Sequence, residues 1–496
     1  MAGYDLLATL ILALIAFSFL KYLYRLTLHP LARFPGPLLA RITNLWAASY
    51  DVPGSDSLIK HLHKLHEQYG PIVRVRPGEL HVFDWDSYQA VFKSSKFAKD
   101  PALYNAPQVQ GSIFNVVDAK EVKPHRDLYT PYFNKAAINS LEGLVHEKLS
   151  IFLDKLDDAA TEEKTVKINV GYSCFFADVV MYYCYRKDLG ALQSPDFKLP
   201  LIKNMENFAG LVPFFNYFPL VGAVMFIFVQ LLPMTLRRKF FPEAVSMGDM
   251  VNECHSRVKE LAMSKEEAKS SSIFGNALNP TEDQYIASLP ELSADAVLFF
   301  LAGTDTSSNT LTAGTWGLLQ NPAAMERLRK ELRRAIPDGK SLVNSTELEK
   351  LPYLRAVVKE SLRMGLGACA RLSRIVPPGG AVLCGQHIPG GTSVSFSAYV
   401  YNYDPSISTN PFKFDPDRWL VDDTSELDSR MISFSKGPRS CLGINLANAE
   451  IINAFAHIFR RFGMINAGTT DADMDFKDCF TRRWNGSLKV KLRRMV

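Results

Sequence analysis

The chain has 496 residues, of which 47% are apolar, with 56 lysines and arginines against 51 aspartates and glutamates. That balance supports a large folded core and excludes wholesale disorder. The net charge of +5 is spread along the chain with no basic block and no zinc-finger spacing, so no nucleic acid is expected as a partner. Seven cysteines, an odd number without a Cys-x-x-Cys pair, exclude a disulfide framework and point to a reducing compartment.

The first element is a greasy helix. Leu6–Leu20 reads "LLATLILALIAFSFL", and the apolar character continues past Lys21 to Tyr24. About 19 helical residues at roughly 1.5 Å each approach the ~30 Å thickness of a bilayer core. A cleaved signal peptide wants positive charge before the run and a small-x-small site after it. Here Asp5 precedes, while Lys21, Arg25, His29 and Arg33 follow. The segment therefore reads as an uncleaved, single-pass anchor over residues 1–30, its basic flank keeping residues 31–496 in the cytosol. Two sequons, at Asn344 and Asn485, should then stay free of sugar. "FPGP" (Phe34–Pro37) cannot continue a helix and acts as a stiff hinge.

Gly70–Asp84 alternates about Pro77-Gly78 and predicts a hairpin, and Thr392–Ser397 predicts another strand. Helical periodicity marks Leu141–Leu156, Ala294–Leu319, Ala324–Ala335, Glu347–Met364 and Asn445–Phe462. Pro290 and Ser293 suit the start of the second of these and Asn321-Pro322 its end. The polar stretch Met263–Ser272 predicts a solvated loop. The expected fold is mainly α with a small β-sheet near the N-terminal third, a single large domain behind the anchor. A second apolar region, Leu211–Leu232, is cut by Pro219 into pieces too short to span. It is either buried core or a surface in shallow contact with the bilayer.

The chemistry concentrates in "FSKGPRSCLG" (Phe434–Gly443), just before the last long helical pattern. Gly437 and Gly443 permit a tight backbone path, and the positive end of the following helix favours a thiolate at Cys441. A thiolate on haem iron assists O–O cleavage, and turn N–H groups donating to sulfur tune it. Phe434 would cover one side of that site and Arg439 meet a haem propionate.

This loop resembles the haem-binding loop of the cytochrome P450 family of haem-thiolate monooxygenases, particularly fungal microsomal members similar to trichodiene oxygenase. The resemblance implies haem b with Cys441 as its axial iron ligand. It extends to "AGTDTS" (Ala302–Ser307), where family usage makes Asp305 and Thr306 the acid–alcohol pair that delivers protons during oxygen activation. Thr306 can bond back to the Ala302 carbonyl, and Gly303 would leave room beside the iron. "ESLR" (Glu360–Arg363) together with Arg418 of "PDRW" implies a structural charge network. Arg374 of "RLSRIVPPGG" and Arg126 imply propionate anchors. Val122 stands where the family has tryptophan, so His125 is a candidate substitute donor. The substrate pocket is expected from Ile113, Phe114, Phe208, Phe299, Ala302, Ala368–Ala370 and the turn near Thr481, with Arg482 or Arg483 available to a substrate carboxylate. Mostly apolar walls fit a small lipophilic substrate, a terpenoid or polyketide intermediate of secondary metabolism.

The resemblance implies O2 as co-substrate, electrons from NADPH through NADPH-cytochrome P450 reductase, and residence in the endoplasmic reticulum membrane. Lys436 and Arg439 are candidates for the reductase-docking face. Two rival readings are a peroxide isomerase or dehydratase working without a reductase, and a non-catalytic haem or lipid carrier. Neither has a use for the Asp305-Thr306 pair.

Overall fold

The N-terminal run forms one helix, Ala2–Thr27, in a computed structural model that describes residues 2–52, 56–104, 109–264 and 272–495. From Asp5 on its side chains are mostly exposed, and Asp5–Thr27 is long and apolar enough to cross a membrane. The Phe34–Pro37 hinge is fastened to the body. The Arg74 N–H donates to the Pro35 carbonyl at 2.7 Å, and its guanidinium reaches the carbonyls of Arg25 and Leu31 at 3.0 and 3.2 Å.

The hairpin at Pro77-Gly78 is present as Ile72–Arg76 paired with Glu79–Val82. It belongs to a five-stranded sheet whose other members are Ser393–Ser397, Arg371–Ile375 and Ala98–Lys99, in that order. The sheet is therefore not confined to the N-terminal third. Ser393–Ser397 runs parallel to Glu79–Val82, a pairing across more than 300 residues that local alternation does not reveal.

Around the sheet lies one apolar cluster, and a larger one surrounds the 32-residue helix Leu289–Gln320. That central helix starts earlier than Ser293. Ser288 and Glu291 form a capping box, with Pro290 inside the first turn where its missing N–H costs nothing. Asn321 ends it and caps the next helix, Pro322–Ala335. The expected helix Glu347–Met364 is two pieces, Ser345–Leu348 and Pro352–Gly365. Pro352 cannot donate to the earlier turn, and the Glu331 carboxylate accepts from the N–H groups of Tyr353 and Leu354 at 3.0 and 2.8 Å, capping a new start. The last long helix is Ile444–Arg461.

Leu211–Leu232 folds as Val212–Tyr217 and Pro219–Leu231. The second helix does not join the core. Leu220 (82% exposed), Val224, Phe226, Ile227, Phe228 and Leu231 all face outward. The loop expected over Met263–Ser272 falls mostly on residues 265–271, outside the described residues; the helix Pro242–Met263 runs up to it.

Candidate active site

Between the central helix, the sheet and the cysteine loop lies a cavity of about 280 Å³. Cys441 opens into it from one side and Ala302, Gly303 and Thr306 from the other. The cysteine loop closes on itself through the Cys441 N–H, which donates to the Phe434 carbonyl at 2.9 Å. Gly437 is required there: its φ is +75°, and a Cβ would overlap the Phe92 carbonyl oxygen. Gly443 has an ordinary φ of −85° as the N-cap of Ile444–Arg461, so freedom from a Cβ is not what its backbone needs. Its N–H instead favours a Cys441 thiolate, as does Arg126; the side chain is exposed only to the cavity, and withdrawal from bulk water dominates and holds the thiol above its ordinary value. The helix-end argument for a thiolate is thus only one part of the balance.

Four cations line one end of the cavity: Lys99, Arg126, Arg374 and Arg439. Arg126 donates to the Ser440 carbonyl at 2.8 Å, and Arg374 to the Tyr104 hydroxyl at 2.9 Å with its guanidinium over Phe92. Arg439 turns inward, donating to the Ile113 and Val116 carbonyls at 3.0 and 2.7 Å, so it belongs to the cavity rather than to an outer docking face. Lys99 was not legible in the sequence, where it sits in no motif. Its ammonium donates to the Phe114 carbonyl at 2.7 Å. Burial, with Arg439, Arg374 and Arg126 nearby, holds it well below its ordinary pKa. Burial likewise lowers Arg439, to about 10. Among the described residues Glu450 is the only carboxyl group at the wall, and burial raises its pKa well above the ordinary value, which disfavours its charged form. Buried like charges without a counter-ion are costly. A flat macrocycle carrying two carboxylates and a metal facing Cys441 satisfies the charge, the shape and the ligand together, so these residues fit haem.

Val122 is buried in the apolar core, 1% exposed. His125 does not replace the missing tryptophan. It lies 2.7 Å from the Asp295 carboxylate and stacks on Tyr285, away from the cavity wall. Asp295 also accepts from the Ile113 N–H and the Tyr129 hydroxyl, both at 2.8 Å, so this cluster pins the Ile113–Phe114 wall to the central helix.

On the central helix, the Thr306 hydroxyl faces the cavity and donates to the Ala302 carbonyl at 2.8 Å. Asp305 does not line the cavity; its carboxylate bonds the Thr481 hydroxyl. Gly303 does line it, but a Cβ there would come within 3.0 Å of Val180. Its missing side chain therefore also serves close packing against the helix Ile168–Tyr185.

The remaining wall includes Ile113, Phe114, Phe299, Ala302, Ala368 and Phe480, an apolar set. Cys369 and Ala370 are not part of it, and the Phe208 side chain lies outside the described residues. Arg482 donates to the Tyr403 hydroxyl at 2.9 Å and Arg483 to the Asn207 carbonyl at 3.4 Å, so neither is presented to the cavity.

Glu360 and Arg363 are fully buried and joined by two hydrogen bonds of 2.8 Å; Arg418 reaches the same carboxylate at 3.0 Å. Trp419 Nε1 and the Asp415 N–H complete the set at 2.9 and 2.8 Å.

A helical body around a cavity with one inward cysteine and a ring of cations defines a haem-thiolate protein. The family model for Cytochrome P450 matches residues 35–488, and the chain belongs to that family. It is a monooxygenase of the family, as its fungal relatives are named. Cytochrome P450 monooxygenase pbrB of Penicillium brasilianum is 32% identical over 492 residues, covering 95% of this chain and 94% of the relative. Cytochrome P450 monooxygenase astB of Aspergillus terreus is 34% identical over 451 residues, 88% and 87% of the two chains. Cytochrome P450 monooxygenase TRI4 of Trichoderma arundinaceum is 30% identical over 469 residues, 92% and 89%.

Proposed function

We propose that the protein oxygenates a small lipophilic intermediate of fungal secondary metabolism, a terpenoid or polyketide, at the endoplasmic reticulum membrane. Residues 1–30 are the anchor and residues 31–496 the cytosol-facing catalytic domain. The observation that carries the reading is the single cavity in which Cys441, the four cations and Thr306 meet beside apolar walls. Haem bound there supplies the activation of O2, with electrons from NADPH through a flavoprotein reductase. Cys441 would hold the iron, and Lys99, Arg126, Arg374 and Arg439 would hold the two propionates by charge-assisted hydrogen bonds. Phe114, Phe299 and Phe480 exclude water and orient an apolar substrate. Thr306 passes a proton inward, with Asp305 behind it as the acid. Lys436, half-buried with Lys93 nearby and outside the cavity lining, is the remaining candidate for reductase docking. Expression with a reductase in microsomes, followed by a screen of terpene and polyketide precursors for products heavier by one oxygen, tests the reading; no such product from either class sinks the substrate assignment.

Thr306→Ala is expected to retain haem but release at least about tenfold more peroxide per NADPH oxidised, since positioned proton transfer is worth about 100-fold or more. Tight coupling in that variant removes Thr306 from the relay.

The exposed face of Pro219–Leu231, followed by Arg237, Arg238 and Lys239, supports a second, shallow contact with lipid. Protein lacking residues 1–27 is expected to keep measurable affinity for anionic vesicles. Serine at Leu220, Phe226 and Phe228 together should weaken it about 100-fold, taking about 1 kcal/mol for each partly inserted side chain. Unchanged vesicle sedimentation would assign that face elsewhere.

A further inference from the structure

Asp305 adjoins the cavity-facing Thr306, yet its carboxylate turns the other way. It accepts a hydrogen bond from the Thr481 hydroxyl and another from Asn309, one turn along the helix. Asn309 is itself fixed: its Oδ1 accepts from Trp484 Nε1 at 2.7 Å and its Nδ2 donates to the Arg482 carbonyl at 3.1 Å. Thr481, Arg482 and Trp484 all belong to one hairpin, formed by Phe476–Cys479 and Thr481–Trp484. The residue between its strands is Phe480, with φ +77°, a backbone conformation that bulky residues hold only where their surroundings impose it. The Phe480 ring is part of the cavity wall, edge-on to Phe114 at 5.5 Å, and also borders a smaller polar recess beneath Val212–Tyr217. One residue of the turn touches the cavity, and the next holds the acid.

We propose that Thr481 is a positioning residue that keeps the Asp305 carboxyl against the hairpin, out of the cavity, and that Phe480 makes this hold respond to what fills the cavity. The inference rests on Asp305 serving proton delivery. A molecule pressing on Phe480 displaces the turn and breaks the Thr481 bond, a single hydroxyl contact of modest net strength. The freed carboxyl then rotates toward Thr306, hands over its proton there and regains one from solvent. Burial pushes the Asp305 carboxyl up to about 6 against the Thr481 and Asn309 bonds, so a useful fraction carries a proton near neutrality. On the hairpin, Cys479, whose pKa feels the Asp305 charge, is raised by burial to about 12 and stays neutral. Arg482 donates to the Tyr403 hydroxyl and Arg483 to the Asn207 carbonyl, and among the described residues the hydrogen bonds that tune Asp305 come from Thr481 and Asn309.

The test is infrared difference spectroscopy on the haem-loaded full chain, with clotrimazole as a bulky apolar cavity probe, below the Asp305 titration point. The Asp305 carboxyl band is assigned by its loss in Asp305→Asn. In the parent protein clotrimazole should shift this band to higher frequency as the Thr481 donor leaves. In Thr481→Val the band should already lie at the shifted position without probe, and Thr481→Ser should restore the parent behaviour. Phe480→Ala should keep the unshifted band and lose its response to clotrimazole. A band unmoved in Thr481→Val, or a full response in Phe480→Ala, overturns the proposal. Peroxide release by Asp305→Asn separates the two readings: if the band behaves as expected but no extra peroxide appears, the hold stands and the relay role of Asp305 falls.

Discussion

Cys441→Ser is expected to abolish the thiolate spectrum of the reduced carbon monoxide complex and to take turnover down by more than about 100-fold. Groups that only support a metal ligand are worth about 10- to 100-fold in affinity or activity, so loss of the ligand sulfur should exceed that. The serine is nearly isosteric, and the loop around it does not depend on the sulfur. The N–H at position 441 still donates to the Phe434 carbonyl, and Gly437 still makes its left-handed turn against Phe92. The variant should therefore fold. Haem content per chain and the position of the carbon monoxide band, read together, check the assignment. Unchanged spectra would move the ligand elsewhere; among the described residues no other cysteine opens into the cavity, and five of the remaining six are buried. The cation ring gives an independent readout, because haem held only by Lys99, Arg126, Arg374 and Arg439 should still associate, though without thiolate character.

The features that were legible before any fold was known are those encoded within a few consecutive residues. The Phe434–Gly443 loop, the Ala302–Ser307 turn of the central helix and the Glu360–Arg363 pair carry their geometry in their spacing. Contacts across the chain were not legible. Lys99 joins the cation ring because Ala98–Lys99 pairs with Arg371–Ile375, putting Lys99 opposite Arg374, and nothing near Lys99 signals that pairing. His125 carries the same residue type a propionate donor would need, but a buried aspartate 170 positions away claims it. Asp305 stands beside Thr306 in sequence and on a different face in space, because successive helical residues are about 100° apart and the hairpin supplies it a partner. Gly303 was read for the cavity it adjoins, whereas Val180, on a helix far upstream, also limits its size.

Glu360→Ala should produce the largest loss of stability, about 3–5 kcal/mol, the usual consequence of stranding a buried cation. The carboxylate is completely enclosed and accepts five hydrogen bonds, from Arg363 twice, Arg418, Trp419 and the Asp415 N–H. Burial pushes its pKa up, but Arg363 and Arg418 more than offset this and hold it below the ordinary value. A depressed carboxyl contributes stability above its unfolded pKa and loses it as pH falls through the folded value, so the parent protein should lose this contribution in acid. The damage should reach the haem site by a traceable path. Arg363 also donates to the Asn402 and Pro411 carbonyls at 2.8 and 2.7 Å. Asn402 in turn donates to Ser433 Oγ at 3.0 Å and accepts from the Ile432 N–H at 3.1 Å, and both residues line the cavity beside the cysteine loop. Weaker haem retention on mild urea treatment, with Cys441 unaltered, is therefore expected of Glu360→Ala. Glu360→Gln, which keeps the shape and some of the acceptors, should fall between it and the parent. Equal haem retention in all three proteins would show that the network and the cysteine loop are energetically separate.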